Sequence, residues 1–129
     1  MKTLHLNLKR KWFDMIKSCE KKEEYREIKD YWIRRLVWFN GDMDELDIDD
    51  FRSDLLDYEN RFGTIKECFK HWGAYANKFD VVEFKNGYQK TAPVMNKAFK
   101  NIQVRPGKPE WGAEPGKKYF VIELGELCS

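Results

Sequence analysis

Cysteine and histidine are scarce in this sequence. The three cysteines, Cys19, Cys68 and Cys128, are odd in number and irregularly spaced, a pattern that fits neither a disulfide framework nor a paired-cysteine metal site. The two histidines, His5 and His71, have no partner at a spacing typical of a catalytic group. We therefore expect reduced thiols in a cytoplasmic protein that holds no metal and no other cofactor.

Long apolar segments and glycine-rich motifs are also absent. No apolar run approaches the length of a membrane-spanning helix, and no signal-peptide core precedes the first charged residues. A charged fraction of 36% and a mean hydropathy of −0.77 exclude an integral membrane protein. The sequence contains no glycine-rich phosphate loop and no internal repeat. Its 129 residues suit one domain, residues 1–129, with ample aromatic material for a core.

Charge is distributed in blocks. Residues 1–36 carry eleven basic and six acidic side chains, and residues 60–129 carry twelve basic and seven acidic ones. Between them, residues 42–59 carry nine acids and one arginine. Without this acidic block the chain is clearly basic, which favours a polyanionic ligand.

Hydrophobic periodicity predicts a mixture of strands and helices. Leu4, Leu6 and Leu8 alternate with polar residues and predict a strand, and an apolar stripe over residues 9–18 predicts a helix. Asp30 is a typical N-cap and Asn40-Gly41 a typical helix end, so we expect a second helix between them. Further helices are predicted over residues 49–60 and 64–72, and strands over residues 22–28, 79–84, 93–104 and 119–124. Residues 106–116 are rich in proline and glycine and predict a loop without helix or strand.

This order of elements predicts an α+β fold, a small mixed β-barrel with flanking helices. The acidic region, residues 42–77, is predicted to be a helical insertion or lid on that domain. The strand over residues 93–104 needs a bulge near Phe99 to keep Val94, Ala98, Ile102 and Val104 on one face.

The segment that follows the first helix carries the candidate site. Glu24 and Arg26 lie two residues apart in a predicted strand and so point to the same face, and Lys21 lies at the preceding turn. A carboxylate, a guanidinium and an ammonium could form a compact polar site for phosphate binding or proton transfer. The alternatives are a solvated charge run or a structural ion-pair network.

Two clusters combine an aromatic ring with lysines, as single-stranded nucleic acid requires. Trp111 lies beside Lys108 in the proline-rich loop, and Tyr88 follows an Asn-Gly turn near Lys85 and Lys90. With Lys22, these residues are the candidate nucleic-acid contacts. The alternative for Trp111 is a ring that anchors its loop to the core.

Several motifs resemble the ASCH domain, the activating-signal-cointegrator homology domain, in its small bacterial and phage form. The helix end Trp12-Phe13-Asp14-Met15-Ile16 is followed by Lys21-x-x-Glu24-Tyr25-Arg26, similar to the family pattern Gly-x-Lys-x-x-Glu-x-Arg. The other resembling segments are Phe84-Lys85-Asn86-Gly87-Tyr88, the loop from Gly107 to Ala113 and the closing strand from Tyr119 to Leu127. The resemblance covers residues 2–39 and 78–127, with Cys19 in place of the family's glycine.

The resemblance implies a PUA-like fold, a small barrel that binds RNA in a cleft lined by the motif's Lys, Glu and Arg. Some relatives remove the acetyl group from acetylated cytidine, and others are ribonucleases. The deacetylating branch has Thr at the position of Glu24, so that activity does not transfer directly.

Three functions remain open. The first is an RNA-binding module that uses Lys21, Glu24 and Arg26. The second is a hydrolase that acts on a modified nucleoside, or a ribonuclease, with the same three residues as catalytic groups. The third is a protein-interaction module whose partner binds residues 42–60.

Overall fold

The computed structural model describes residues 1–127, and Cys128 lies outside them. The first half contains β1 (Thr3–Asn7), α1 (Arg10–Lys17), β2 (Glu23–Glu27), α2 (Asp30–Leu36), β3 (Val37–Phe39), α3 (Glu45–Leu56) and α4 (Tyr58–Arg61). The second half contains α5 (Ile65–Trp72), β4 (Ala74–Ala76), β5 (Val81–Lys85), β6 (Val94–Pro106), a 3-10 turn (Pro109–Trp111) and β7 (Lys118–Leu127). The α+β class is confirmed.

Five strands form one mixed sheet in the order β1-β5-β6-β7-β2. β1 is parallel to β5, and the other neighbours are antiparallel. Within residues 1–127 the sheet is open, with β1 and β2 at its edges, so a closed barrel is not observed. The two edges are nevertheless joined, because the Arg26 Nη2 atom of β2 donates to the carbonyl oxygen of Asn7 of β1 at 3.0 Å.

The first helix forms as its apolar stripe predicts. Phe13 and Ile16 are buried against the sheet, while the charged side chains of α1 are exposed. After α1 the chain turns at Cys19, which has a positive φ of 67°. The Lys21 backbone N–H donates to the Met15 carbonyl at 2.9 Å, which folds the turn back onto the helix and starts β2.

The second helix is shorter than predicted. It starts with Asp30 as its first helical residue rather than its cap, and it ends at Leu36. The following residues, Val37 to Phe39, form β3 and pair with β4. This segment has one β-branched and two aromatic residues, which are types that favour a strand when a neighbouring strand can pair with them. This pairing, which is remote in sequence, overrides the helix end predicted at Asn40-Gly41.

The acidic region is helical over α3, α4 and α5, and it also contributes the strand β4. Asp44 and Asp47 form a reciprocal capping box that starts α3. Ile48, Phe51 and Leu55 of α3 are buried in the same hydrophobic core as the sheet and the first two helices. The region therefore packs as part of the core.

Two details of the later strands differ from expectation. The predicted bulge near Phe99 is confirmed by register shifts on both sides of that residue. The prediction that Val94 shares the inward face with Ala98 and Val104 is wrong, because Val94 is exposed. At this end of β6 the buried residues are Met95 and Lys97. The predicted loop over residues 106–116 also contains a 3-10 turn, closed by the bond from the Trp111 N–H to the Lys108 carbonyl at 2.9 Å.

None of the helices within residues 1–127 has the length and apolar character needed to cross a bilayer.

Candidate functional site

Lys21, Glu24 and Arg26 meet in one buried network. The Glu24 Oε1 atom accepts from the Lys21 ammonium and from the Tyr25 backbone N–H at 3.1 Å. The Glu24 Oε2 atom accepts from Arg26 Nη1 at 2.8 Å. The carboxylate therefore accepts hydrogen bonds from three donors, two of which are cationic. Hydrogen bonds between charged groups are stronger than those between neutral groups. The structure brings these three predicted residues together.

The Arg26 guanidinium is held on several sides. Besides Glu24, its Nη1 atom donates to the Tyr25 carbonyl at 2.8 Å, and its Nη2 atom donates to Asn7. Its Cζ atom lies 5.2 Å from the centroid of the Trp32 ring. A guanidinium fixed by planar contacts of this kind is pre-organised before any ligand arrives.

Lys21 is the most enclosed member of the network. Only 1% of the residue is exposed, and its Nζ atom lies 5.6 Å and 5.2 Å from the ring centroids of Trp12 and Tyr25. Burial lowers the pKa of Lys21 below its ordinary value, and the attraction of Glu24 opposes this only in part. The enclosed ammonium therefore pairs with Glu24, and the phosphate contact that the sequence suggests for Lys21 stays a prediction.

A second network on the opposite face of β2 was missed by sequence reasoning. The Tyr25 hydroxyl donates to Glu23 at 2.7 Å and accepts from the Lys108 backbone N–H at 2.9 Å. Arg105 donates to the other Glu23 oxygen at 2.7 Å. Burial alone would raise the pKa of Glu23, but the bonds from Arg105 and Tyr25 hold it below its usual range. Burial also raises the pKa of Tyr25.

These bonds attach the proline-rich loop to β2. A Cβ atom on Gly107 would lie 2.5 Å from the Tyr25 ring, so only glycine fits there. Gly112, with a φ of 102°, is also close to a ring, because a Cβ atom there would lie 3.0 Å from Trp12. The loop is thereby held as one wall of a cleft.

The cleft has a volume of about 910 Å³ and lies beside Glu24 and Arg26 of β2, which line it. Its lining is notably aromatic, with seven rings: Trp12, Tyr25, Tyr31, Trp32, Tyr88, Trp111 and Tyr119. The other lining residues are His5, Asn7, Glu27, Lys29, Gly112 and Glu114. A pocket with many ring faces and a few fixed polar groups is typical of sites for flat, partly polar ligands.

Cations lie on the rings of this cleft. The Nζ atoms of Lys11 and Lys108 lie 4.7 Å and 4.3 Å from the ring centroids of Trp12 and Trp111. The Arg35 guanidinium lies 5.5 Å from the centroid of the Tyr31 ring. These contacts form a basic rim around an aromatic interior.

Some of the other residues predicted to contact nucleic acid lie at the cleft, and some do not. Tyr88 and Trp111 line the cleft, and Lys108 belongs to its rim. Lys85 and Lys90 are not among the described lining residues, and Lys22 lines a different pocket. Sequence reasoning missed Trp12, Tyr31 and Trp32, which helical spacing assigned to the core. The feature that could have identified them from the sequence is the basic residue that lies beside or near each of these aromatic residues.

The acidic block lies away from this cleft. None of residues 42–60 lines it, so within residues 1–127 they do not form the predicted lid. Several carboxylates are used internally: Asp54 accepts from Trp72 Nε1 at 2.8 Å and from Arg61 at 2.6 Å. A protein partner for residues 42–60 stays a prediction.

Potential metal ligands and free thiols both occur within the part of the chain that the structure describes. No group of three or more His, Cys, Asp or Glu side chains there could hold a metal ion. Cys68 is buried, and burial raises the pKa of its thiol to about 11. Cys19 is exposed, at the turn before Lys21.

Comparison with known proteins returns no match to a family model, to a curated protein or to a solved structure. The resemblance to the ASCH domain therefore stays a prediction that depends on the motifs quoted above.

Proposed function

We propose that the cleft binds single-stranded RNA, with an unpaired base against its aromatic rings and neighbouring phosphates against its basic rim. One observation carries this proposal: seven aromatic rings line one cleft, and lysine ammonium groups lie over two of them, Trp12 and Trp111. Stacking on aromatic faces and phosphate contacts from Lys and Arg are the two terms by which proteins bind unpaired nucleotides.

The polar network has a defined part in this proposal. Arg26 and Glu24 line the cleft and present a fixed guanidinium and carboxylate to the edge of a bound base. Lys21 acts through Glu24 as a positioning residue, because its ammonium is enclosed. A base that carries both donors and acceptors on its edge would be complementary to both groups.

We also propose the finer fold and location expected from the resemblance, an ASCH-type domain in the cytoplasm with a PUA-like barrel. The bond from Arg26 to Asn7 supports the barrel, because it joins the two edge strands of the open sheet. The cytoplasm suits thiols that stay reduced, such as Cys19 and Cys68.

The test is fluorescence anisotropy of a labelled single-stranded RNA with two tyrosine variants. Tyr88 is 86% exposed and lines the cleft, whereas Tyr75 is 60% exposed and does not line it. We expect Tyr88→Ala to weaken binding about tenfold, within the range for one stacked base. Tyr75→Ala is the matched control and should leave the affinity unchanged. Equal affinity of both variants and wild type would contradict the proposal.

Salt dependence tests the basic rim independently. Affinity should fall steeply with salt, and Lys108→Met should reduce the slope of log affinity against log salt by about 0.7, the value for one phosphate of a single strand. Lys66→Met, at an exposed residue of α5 outside the cleft, should leave the slope unchanged. Affinity that does not respond to salt would exclude phosphate binding.

Hydrolysis of a modified nucleoside is the second candidate function. The observation that favours it is a lysine of lowered pKa, Lys21, bonded to a carboxylate on the cleft wall, Glu24. Incubation with acetylated cytidine, and separately with RNA, tests this function. Turnover that disappears in Lys21→Met/Glu24→Gln, which removes both charges of the pair and should keep the fold, would support it, and turnover that survives in this variant would remove both residues from the mechanism.

A further inference from the structure

A second pocket lies on the other side of the Lys21-Glu24 pair. It has a volume of about 450 Å³ and is lined by four lysines, Lys21, Lys22, Lys97 and Lys100, together with Cys19. We call it the lysine pocket. It has no lining residue in common with the aromatic cleft.

The positive charge of this pocket is largely uncompensated. Among the described side chains, the lysines that pair with a carboxylate are Lys21, Lys117 and Lys118. Lys22, Lys97 and Lys100 form no such pair there. Three ammonium groups around one small pocket repel each other, and a bound anion would relieve that repulsion.

Lys97 is the strongest indication of a ligand. It is only 3% exposed, and lysines are almost never buried without a partner of opposite charge. Its hydrogen bond among the described residues goes to the Cys19 Sγ atom at 3.4 Å, and sulfur is a weak acceptor. Among the residues that the structure describes, this ammonium with three donors therefore has one weak acceptor.

The backbone on both sides supports this arrangement. The register of β6 shifts between Lys97 and Phe99, and bulges of this kind re-aim side chains beside binding sites. Across the pocket, Cys19 takes a left-handed conformation with a φ of 67°. That conformation is unfavourable for a residue with a side chain, and here it accompanies the contact of Sγ with Lys97.

We propose that the lysine pocket binds a phosphate-type oxyanion. Phosphate has several acceptor oxygens and up to two negative charges, which match an enclosed ammonium and two exposed ones. The phosphate could belong to the backbone of a nucleic acid or to a free phosphate-bearing molecule. This inference does not depend on the RNA proposal, because it concerns different residues.

The test is calorimetric titration with inorganic pyrophosphate at constant ionic strength in chloride buffer. We expect saturable binding by wild type and a loss of at least about tenfold in Lys97→Met, the loss that one charged hydrogen bond implies. Methionine keeps most of the length of the lysine side chain and removes its charge. Lys66→Met is the control for overall charge and should bind pyrophosphate like wild type.

A second variant guards against misfolding of Lys97→Met. Lys22 and Lys100 are exposed, so Lys22→Ala/Lys100→Ala should fold normally and also lose pyrophosphate binding. Absence of saturable binding by wild type, or equal weakening in Lys66→Met, would overturn the proposal.

Competition with RNA identifies the source of the phosphate. If pyrophosphate displaces labelled RNA, the pocket accepts a backbone phosphate; if both bind together, it accepts a free phosphate-bearing molecule. Either result supports an oxyanion site. Tyr88→Ala separates the two proposals, because it should weaken RNA binding and leave pyrophosphate binding intact.

Discussion

Replacement of Glu24 by glutamine should destabilise the fold severely. The variant keeps the shape of the side chain but removes its charge, which leaves the enclosed Lys21 ammonium without a counter-charge. Removal of one member of a buried ion pair costs about 3–5 kcal/mol. Because a domain of this size has a free energy of unfolding of about 5–15 kcal/mol, the loss would be a large part of the total.

The double variant Lys21→Met/Glu24→Gln should recover most of that loss. It removes both enclosed charges of the pair, so neither is left buried without its partner, which is the costly case. Arg26 remains fixed by the Tyr25 and Asn7 carbonyls. The assay is urea unfolding of wild type, the two single variants and the double variant, which together form a double-mutant cycle.

The pH dependence of the same cycle has a defined sign. Lys21 titrates below its ordinary value of 10.5 in the folded protein, so the unfolded chain binds more protons between the two pKa values. The free energy of unfolding of wild type should therefore rise relative to Lys21→Met as pH increases through that interval, by at most about 1.4 kcal/mol per pH unit. The groups that act on Lys21 are Glu24, Arg26 and Glu23. A Glu24→Gln loss under about 1 kcal/mol, or an additive cycle, would refute the reasoning.

Three further changes test the turn, the loop and the second network. Cys19→Gly should raise the free energy of unfolding by about 1 kcal/mol in urea, because glycine accepts the positive φ; a decrease would mean that the thiol contact outweighs the backbone strain. Gly107→Ala should lower the melting temperature, with a cost of at least about 1–3 kcal/mol for the overlap with Tyr25; an unchanged melting temperature would show that the loop can move away. Tyr25→Phe should cost about 1–3 kcal/mol in urea unfolding, since Glu23 loses a buried donor; a loss confined to Tyr25→Ala would assign the stability to the ring alone.

Local patterns predicted much of the fold. Alternation at Leu4, Leu6 and Leu8 and the apolar stripe of α1 depend on neighbours within a few residues, and both elements form where expected. The missed strands β3 and β4 are more than thirty residues apart in sequence. Their pairing depends on the packing of α3 to α5, which lie between them in the chain. Short apolar runs of this kind are ambiguous between helix and strand without the partner.

The site was predictable in its charged part and at two of its aromatic residues, Tyr88 and Trp111. Glu24 and Arg26 lie on one face because a strand repeats every two residues, and the turn that precedes β2 brings Lys21 to them. The aromatic lining comes from α1, β2, α2, β7 and the segments that carry Tyr88 and Trp111, so no single segment of sequence displays it. Lys97 was also missed, because the bulge in β6 decides which of its residues point inward.

The most direct test of RNA binding uses the five tryptophans as internal probes. Trp12, Trp32 and Trp111 line the cleft, and Trp38 and Trp72 do not. The measurement is an NMR titration of the five indole N–H signals with single-stranded RNA. We predict that the signals of the three cleft tryptophans shift and saturate together, while those of Trp38 and Trp72 stay in place. Shifts confined to Trp38 and Trp72, or no shift at saturating RNA, would contradict the assignment of RNA to this cleft.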